Sequence, residues 1–224
     1  MKRALAILAI AAIAMPAMAG LVTTTATPYN GGVSYFGDQS AGTTIPVYDN
    51  TVNESGYYYN TAGLEEGDDL MMTAGGQIDH FAFGYYDPSG DGAVTTAADV
   101  RFYDMATFVG DGTDVPLAAY SVTNLPGEGG WIVDVDLDTP SPVMPADIVM
   151  SVQFDNTVDA GLLIYDPPVI GSSADMFWLN DGSGNWYYFG GNPVANFALE
   201  VEMVPEPASL ALLALGGLAL LRRR

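Results

Sequence analysis

Trp131, Val133, Val135 and Leu137 occupy every second position of one segment, and Asp134, Asp136 and Asp138 hold the opposite parity. A period of two marks a β-strand with one covered and one wet face, because successive side chains point to opposite sides. The pattern recurs in Phe197, Leu199, Val201 and Met203 opposite Asn196, Glu200 and Glu202, and in Ile148, Met150, Val152 and Phe154 opposite Ser151 and Gln153. In Gln77 to Tyr86, Phe81, Phe83 and Tyr85 share one side while His80, Ala82 and Gly84 share the other. That predicts a strand packed beneath a partly covered second face, and residues Asp99 to Asp104 are expected to pair back against it.

Turn-forming breaks at Pro126-Gly127, Pro140 to Pro145, Pro167-Pro168 and Asp181 to Gly184 divide the remainder into short strands. A Thr-rich lead, Thr23-Thr24-Thr25, reads as an exposed first strand. Ile45 to Asn50 reads as an edge strand, since Pro46 cannot donate to a central ladder. Glu65-Glu66-Gly67-Asp68-Asp69 reads as an acidic turn before the short apolar run Leu70 to Met72. Short strands at regular turn spacing, with no amphipathic helix between them, predict an all-β fold: an antiparallel two-sheet β-sandwich of jelly-roll type, with barrel closure as the competing architecture.

The two ends differ from this body. Met1-Lys2-Arg3, the apolar run Ala4 to Ala14 and Ala17-Met18-Ala19 have the order of a signal peptide, with Ala17 and Ala19 marking the signal peptidase site before Gly20. At the other end, Ala208 to Leu221 is uncharged and, apart from Ser209 and Gly216-Gly217, entirely Ala or Leu, with Arg222 to Arg224 closing the chain. As a helix it would span roughly 21 Å against a hydrocarbon core of roughly 30 Å, a marginal and therefore transient inner-membrane anchor. The arginines stay cytoplasmic by the positive-inside bias, which places everything upstream outside. Pro205 and Pro207 stop the helix from extending backward and keep Pro205-Glu206-Pro207 extended.

This tail resembles the PEP-CTERM sorting signal in all three of its parts: a near-terminal Pro-Glu-Pro, one hydrophobic span and a terminal basic cluster. The resemblance implies that Pro205, Glu206 and Pro207 are recognised by an exosortase, a membrane-embedded cysteine transpeptidase-like enzyme of bacteria that commonly make exopolysaccharide. The body also resembles domains found upstream of such tails, in Gly75 to Tyr86, Val100 to Asp104 and Ala195 to Leu199; that implies a β-sandwich without assigned chemistry. The expected organisation is a signal peptide at 1–19, one β-sandwich domain at 20–203 and the sorting signal at 204–224. The expected destination is the cell surface or the extracellular space.

Charge narrows the partners. Five of the six Lys and Arg residues lie in the two end segments, which leaves Arg101 alone against the 26 acids of residues 20–203 and a net charge near −25 between the ends. Such a field repels nucleic acid and anionic surfaces unless divalent cations intervene. The chain has no cysteine, so an exported domain of this size must be held by its core rather than by disulfides.

No catalytic residues are assigned. His80 is the only histidine, and without cysteine or body lysine the Cys-His and Ser-Lys arrangements cannot be built. Carboxylate pairs for glycoside hydrolysis exist, but 27 acids make their presence uninformative. No cofactor is assigned, with one metal reading kept in view. Asp87, Ser89 and Asp91, followed by Gly92, match the first half of a Ca2+ loop, yet the next acid, Asp99, falls at position 13 instead of 12. A hairpin tip explains the same residues more simply. Tyr57-Tyr58-Tyr59 and Trp186 to Phe189 cannot all face inward on alternating strands; either a loop buries their second face, or rings such as Tyr58 and Trp186 contact sugars. The expected role is a non-enzymatic surface or matrix protein associated with exopolysaccharide, with a lectin-like carbohydrate-binding module and a glycan-cleaving enzyme as alternatives.

Overall fold

The computed structural model describes residues 22–28, 44–60, 63–88, 96–154, 160–188 and 196–204. The predicted signal peptide, the terminal apolar helix, Ser89 and Asp91 lie outside these residues. Among the described residues fourteen strands follow one another: β1 (Val22–Pro28), β2 (Ile45–Asp49), β3 (Glu54–Asn60), β4 (Glu65–Met71), β5 (Gly76–Asp87), β6 (Thr96–Asp104), β7 (Ala118–Leu125), β8 (Gly129–Leu137), β9 (Val143–Met144), β10 (Asp147–Phe154), β11 (Gly161–Tyr165), β12 (Phe177–Leu179), β13 (Trp186–Tyr187) and β14 (Leu199–Val204).

They form two antiparallel sheets. The first runs β1-β8-β5-β11-β3, with β14 also pairing with β5, β2 flanking β14, and β9 joining the start of β5. The second runs β13-β12-β4-β10-β6-β7. The chain is thus a β-sandwich. As its proline predicts, β2 takes an edge among the described strands, pairing with β14, while Asp49 at its end also bridges to Ile170.

The alternating segments place their apolar faces between the sheets. Phe81, Phe83, Val133, Val135, Leu199 and Val201 of the first sheet share one core with Val100, Phe102, Met150 and Val152 of the second. Phe81 meets Phe102 edge-on, centroids 5.3 Å apart and planes at 73°. Each such ring contributes about 1.5–3 kcal/mol of burial. On the far side of the first sheet, Ile132, Leu163, Tyr165 and Ala198 form a second apolar cluster, the covered face anticipated opposite Phe81 and Phe83. Gly84 lies beneath it, where a Cβ would fall 3.0 Å from that of Ala198.

Three expectations need correction. Residues Asp99 to Asp104 do not pair back on β5; β6 lies in the opposite sheet, between β10 and β7. Alternation identifies a strand and its inner face but carries no information about which sheet it joins. The polar parity of the clean strands is not uniformly wet either, since Asp134 and Ser151 are buried.

The acidic stretch is not a turn. Glu65 to Asp69 form most of β4, an interior strand between β12 and β10, and all four acids are buried. Two point into the sandwich and accept backbone amides from the opposite sheet: Glu66 Oε1 from Leu162 at 2.9 Å, and Asp68 Oδ2 from Phe197 at 2.8 Å. These amides lie where β11 and the chain entering β14 meet, so the carboxylates satisfy donors that would otherwise be buried unpaired. Burial, with the neighbouring Asp69, holds the Asp68 carboxyl well above the usual carboxylate range.

Candidate functional site

One acid of β4, Glu65, organises a polar cleft on the outer face of the second sheet. Glu65 Oε1 accepts the Tyr103 hydroxyl at 2.7 Å and the Ser151 hydroxyl at 2.5 Å. Its Oε2 lies 3.3 Å from Arg101 Nη1 and accepts Asn180 Nδ2 at 3.2 Å. Tyr103 and Arg101 come from β6, Ser151 from β10, and Asn180 from the residue after β12, so one carboxylate of β4 gathers three other segments. Arg101 continues to Gln153 Oε1 at 3.0 Å and Asp99 Oδ2 at 2.8 Å. The single base of the body is therefore held flat on the sheet by three oxygen partners, a use of the planar guanidinium that lysine could not reproduce.

A loop from 105 to 117 walls the cleft. Asp114 accepts the amides of Val109 at 2.8 Å and Gly110 at 2.7 Å, and Trp178 Nε1 donates to the Gly110 carbonyl at 2.8 Å. Behind the loop Phe108 stands nearly perpendicular to Trp178, centroids 4.9 Å apart, and touches Tyr103 and Trp186. The cleft has a volume of about 280 Å³ and adjoins a hollow of about 310 Å³ with which it shares Tyr103 and Asp114. Chemically it offers amide, guanidinium and carboxylate groups around a polar ligand, while Glu65 itself is saturated by its partners.

A second group of titratable residues lies on the outer face of the first sheet. Buried His80 bonds Asp136 through Nδ1 at 2.9 Å and has Asp134 Oδ1 3.8 Å from Nε2. Glu200 stands across Ala82 from Asp134, each paired with that alanine, and Glu202 stands across His80 from Asp136. Burial, with Asp49, Glu202 and Asp134 nearby, pushes Glu200 up to about 8. Burial also pushes Asp134 to about 6, against the opposing pull of His80.

The residues singled out in the sequence are dispersed. Asp87 ends β5 and is buried, while Ser89 and Asp91 lie outside the described residues. Tyr58 sits in the edge strand β3, paired with Leu163; Trp186 sits half-buried in β13, the edge of the other sheet, paired with Trp178. Since β1 packs beside β7, β3 and β13 share the opposite flank of the sandwich. Ala17, Ala19, Pro205, Glu206 and Pro207 lie outside the described residues. Among the described residues no three His, Cys, Asp or Glu side chains converge as a metal-ligand set. Sequence reasoning missed Glu65, Gln153 and Asn180; the one available signal was Arg101, the only base in a field of acids.

The last strand leads to the end of the chain. Val204, paired with Gln77, is the final residue of β14, and residues 204–224 match the family model described as the PEP-CTERM protein-sorting motif. The chain carries a PEP-CTERM sorting signal. It marks an exported protein that is processed by an exosortase and anchored transiently in the membrane before release to the cell surface. The motif begins at Val204, the last described residue of β14. Neither a curated protein nor a solved structure matches the chain.

Proposed function

We propose that the sandwich is a non-enzymatic surface or matrix protein that, once freed of both ends, associates with exopolysaccharide. The observation that supports this reading is the saturation of Glu65: hydroxyls of Tyr103 and Ser151, the Asn180 amide and Arg101 occupy both carboxylate oxygens. A general acid or base needs an oxygen directed at substrate, and this carboxylate spends its own on the scaffold. The net charge near −25 between the ends favours a neutral polymer, or an acidic one bridged by divalent cations.

A carbohydrate-binding module is the second reading, favoured by the cleft beside Arg101, where Gln153, Asn180 and Asp114 present hydrogen-bonding groups next to aromatic rings. Both readings are tested with the full-length protein in detergent micelles and exopolysaccharide from an exosortase-bearing bacterium. Co-sedimentation with the polymer and no new reducing ends supports association without catalysis; release of reducing ends overturns it. Loss of co-sedimentation in Asn180→Ala and Gln153→Ala selects the binding module, whereas retention in both selects a diffuse matrix role.

A further inference from the structure

The inner end of β4 meets three other segments at one hydroxyl. Ser173 Oγ lies 2.7 Å from Asn196 Oδ1, 3.0 Å from Asp68 Oδ1 and 3.3 Å from Asp69 Oδ1. A hydroxyl carries one hydrogen, so it can donate to only one of these three oxygens. Asn196 is turned into this arrangement by its other end, whose Nδ2 donates to Asp166 Oδ1 at 2.8 Å and Asp175 Oδ1 at 3.3 Å.

No basic side chain balances these charges. Arg101 is the only Lys or Arg between Arg3 and Arg222, and it is bound to Glu65 and Asp99. A further oxygen lies near the same place: Tyr48 is fully buried, and its hydroxyl, with no partner at ordinary hydrogen-bond geometry, lies beside Ser173 in the field of Asp68, Asp69 and Asp166. Asn50, buried between the carbonyls of Tyr165 and Phe197, likewise keeps an unpartnered Oδ1 next to the residues that precede Asp166 and follow Asn196.

We propose that Asp68, Asp69, Ser173 and Asn196 bind a divalent calcium ion that clamps the two sheets together. The set is oxygen-only, as a hard cation requires, and its two carboxylates match the ion's charge. Two acids with an amide and a hydroxyl give a mixed, irregular shell, which Ca2+ tolerates and Mg2+, with its demand for a regular octahedron, does not. Asp166 and Asp175 serve as outer-shell partners that keep Asn196 Oδ1 aimed at the ion. Asp68 and Asp69 belong to β4 of one sheet, and Asn196 leads into β14 of the other, so the ion would tie together strands that otherwise meet through side chains alone. This ligand set includes none of Asp87, Ser89 and Asp91.

The test is calcium titration of the chelator-treated full-length protein, in detergent and at about 150 mM salt so that diffuse ion binding is screened. One ion per chain is expected, with a dissociation constant of roughly 10 μM to 1 mM, and a melting temperature about 5–10 °C higher at a hundredfold excess over that constant. Asp69→Asn, which keeps an acceptor for the Ala174 amide and removes one of two adjacent buried acids, is expected to weaken binding at least about tenfold, since even outer-shell losses cost that much, without lowering the chelated melting temperature. Asp87→Asn is expected to bind like the parent. A wild-type melting temperature identical in calcium and chelator overturns the site, and so does calcium affinity unchanged in both Asp69→Asn and Asn196→Ala.

Discussion

Trp178 Nε1 donates to the Gly110 carbonyl at 2.8 Å, and a Cβ placed on Gly110 would lie only 2.6 Å from that same nitrogen. Gly110 also holds a φ of 78°, a backbone that L side chains adopt at a cost. Trp178 therefore pins the loop walling the cleft at a position only glycine fills. Gly110→Ala is expected to destabilise the protein by about 2–4 kcal/mol, strain and overpacking together. Urea unfolding followed by tryptophan fluorescence measures it, and an unchanged midpoint would show the loop to be free of this constraint.

Glu65 is a hub whose loss leaves several buried groups unpaired. Glu65→Ala removes the acceptor of Tyr103 and Ser151 and one partner of Arg101, at an expected cost of about 3–5 kcal/mol. Glu65→Gln keeps the shape and one acceptor oxygen and should cost less. Chemical denaturation of the two variants side by side checks the order; equal losses would mean that packing, not hydrogen bonding, sets the value of this side chain.

Acidification is expected to stabilise the fold over part of the pH range. Glu200, pushed up to about 8, and Asp134, pushed up to about 6, hold protons more tightly folded than unfolded. Stability therefore falls as pH rises from the ordinary carboxylate range toward 8, because the folded state binds more protons there. Glu200→Gln removes that penalty. Its melting temperature should exceed the parent's at pH 8 and converge with it near pH 4.5. A constant offset across the range would assign the effect to packing instead of charge.

Processing is expected to remove both ends. Mass spectrometry of the protein from its native host should find a mature chain starting at Gly20 and lacking Arg222 to Arg224. Glu206→Ala, which breaks the Pro-Glu-Pro, should leave the arginines in place and the protein in the membrane fraction. Cleavage of the variant at the parental rate would place recognition elsewhere in the tail.

The sequence by itself determined the inner faces of β8, β10 and β14, because a strand alternates whatever its neighbours and one face must leave water. It also determined the sorting signal, which is linear: an extended tripeptide, an apolar span and a basic end are legible without a fold. Only the tertiary structure decided the fate of Glu65 to Asp69. Their inward carboxylates are held by amides 96 and 129 residues away, and no local pattern announces a partner that distant, so a stretch with the composition of a turn became an interior strand. The same limit governs Arg101 and Ser173. Each matters through groups brought to it by other strands, since the free energy of burying a charge depends on what surrounds it in space and not on what precedes it in the chain.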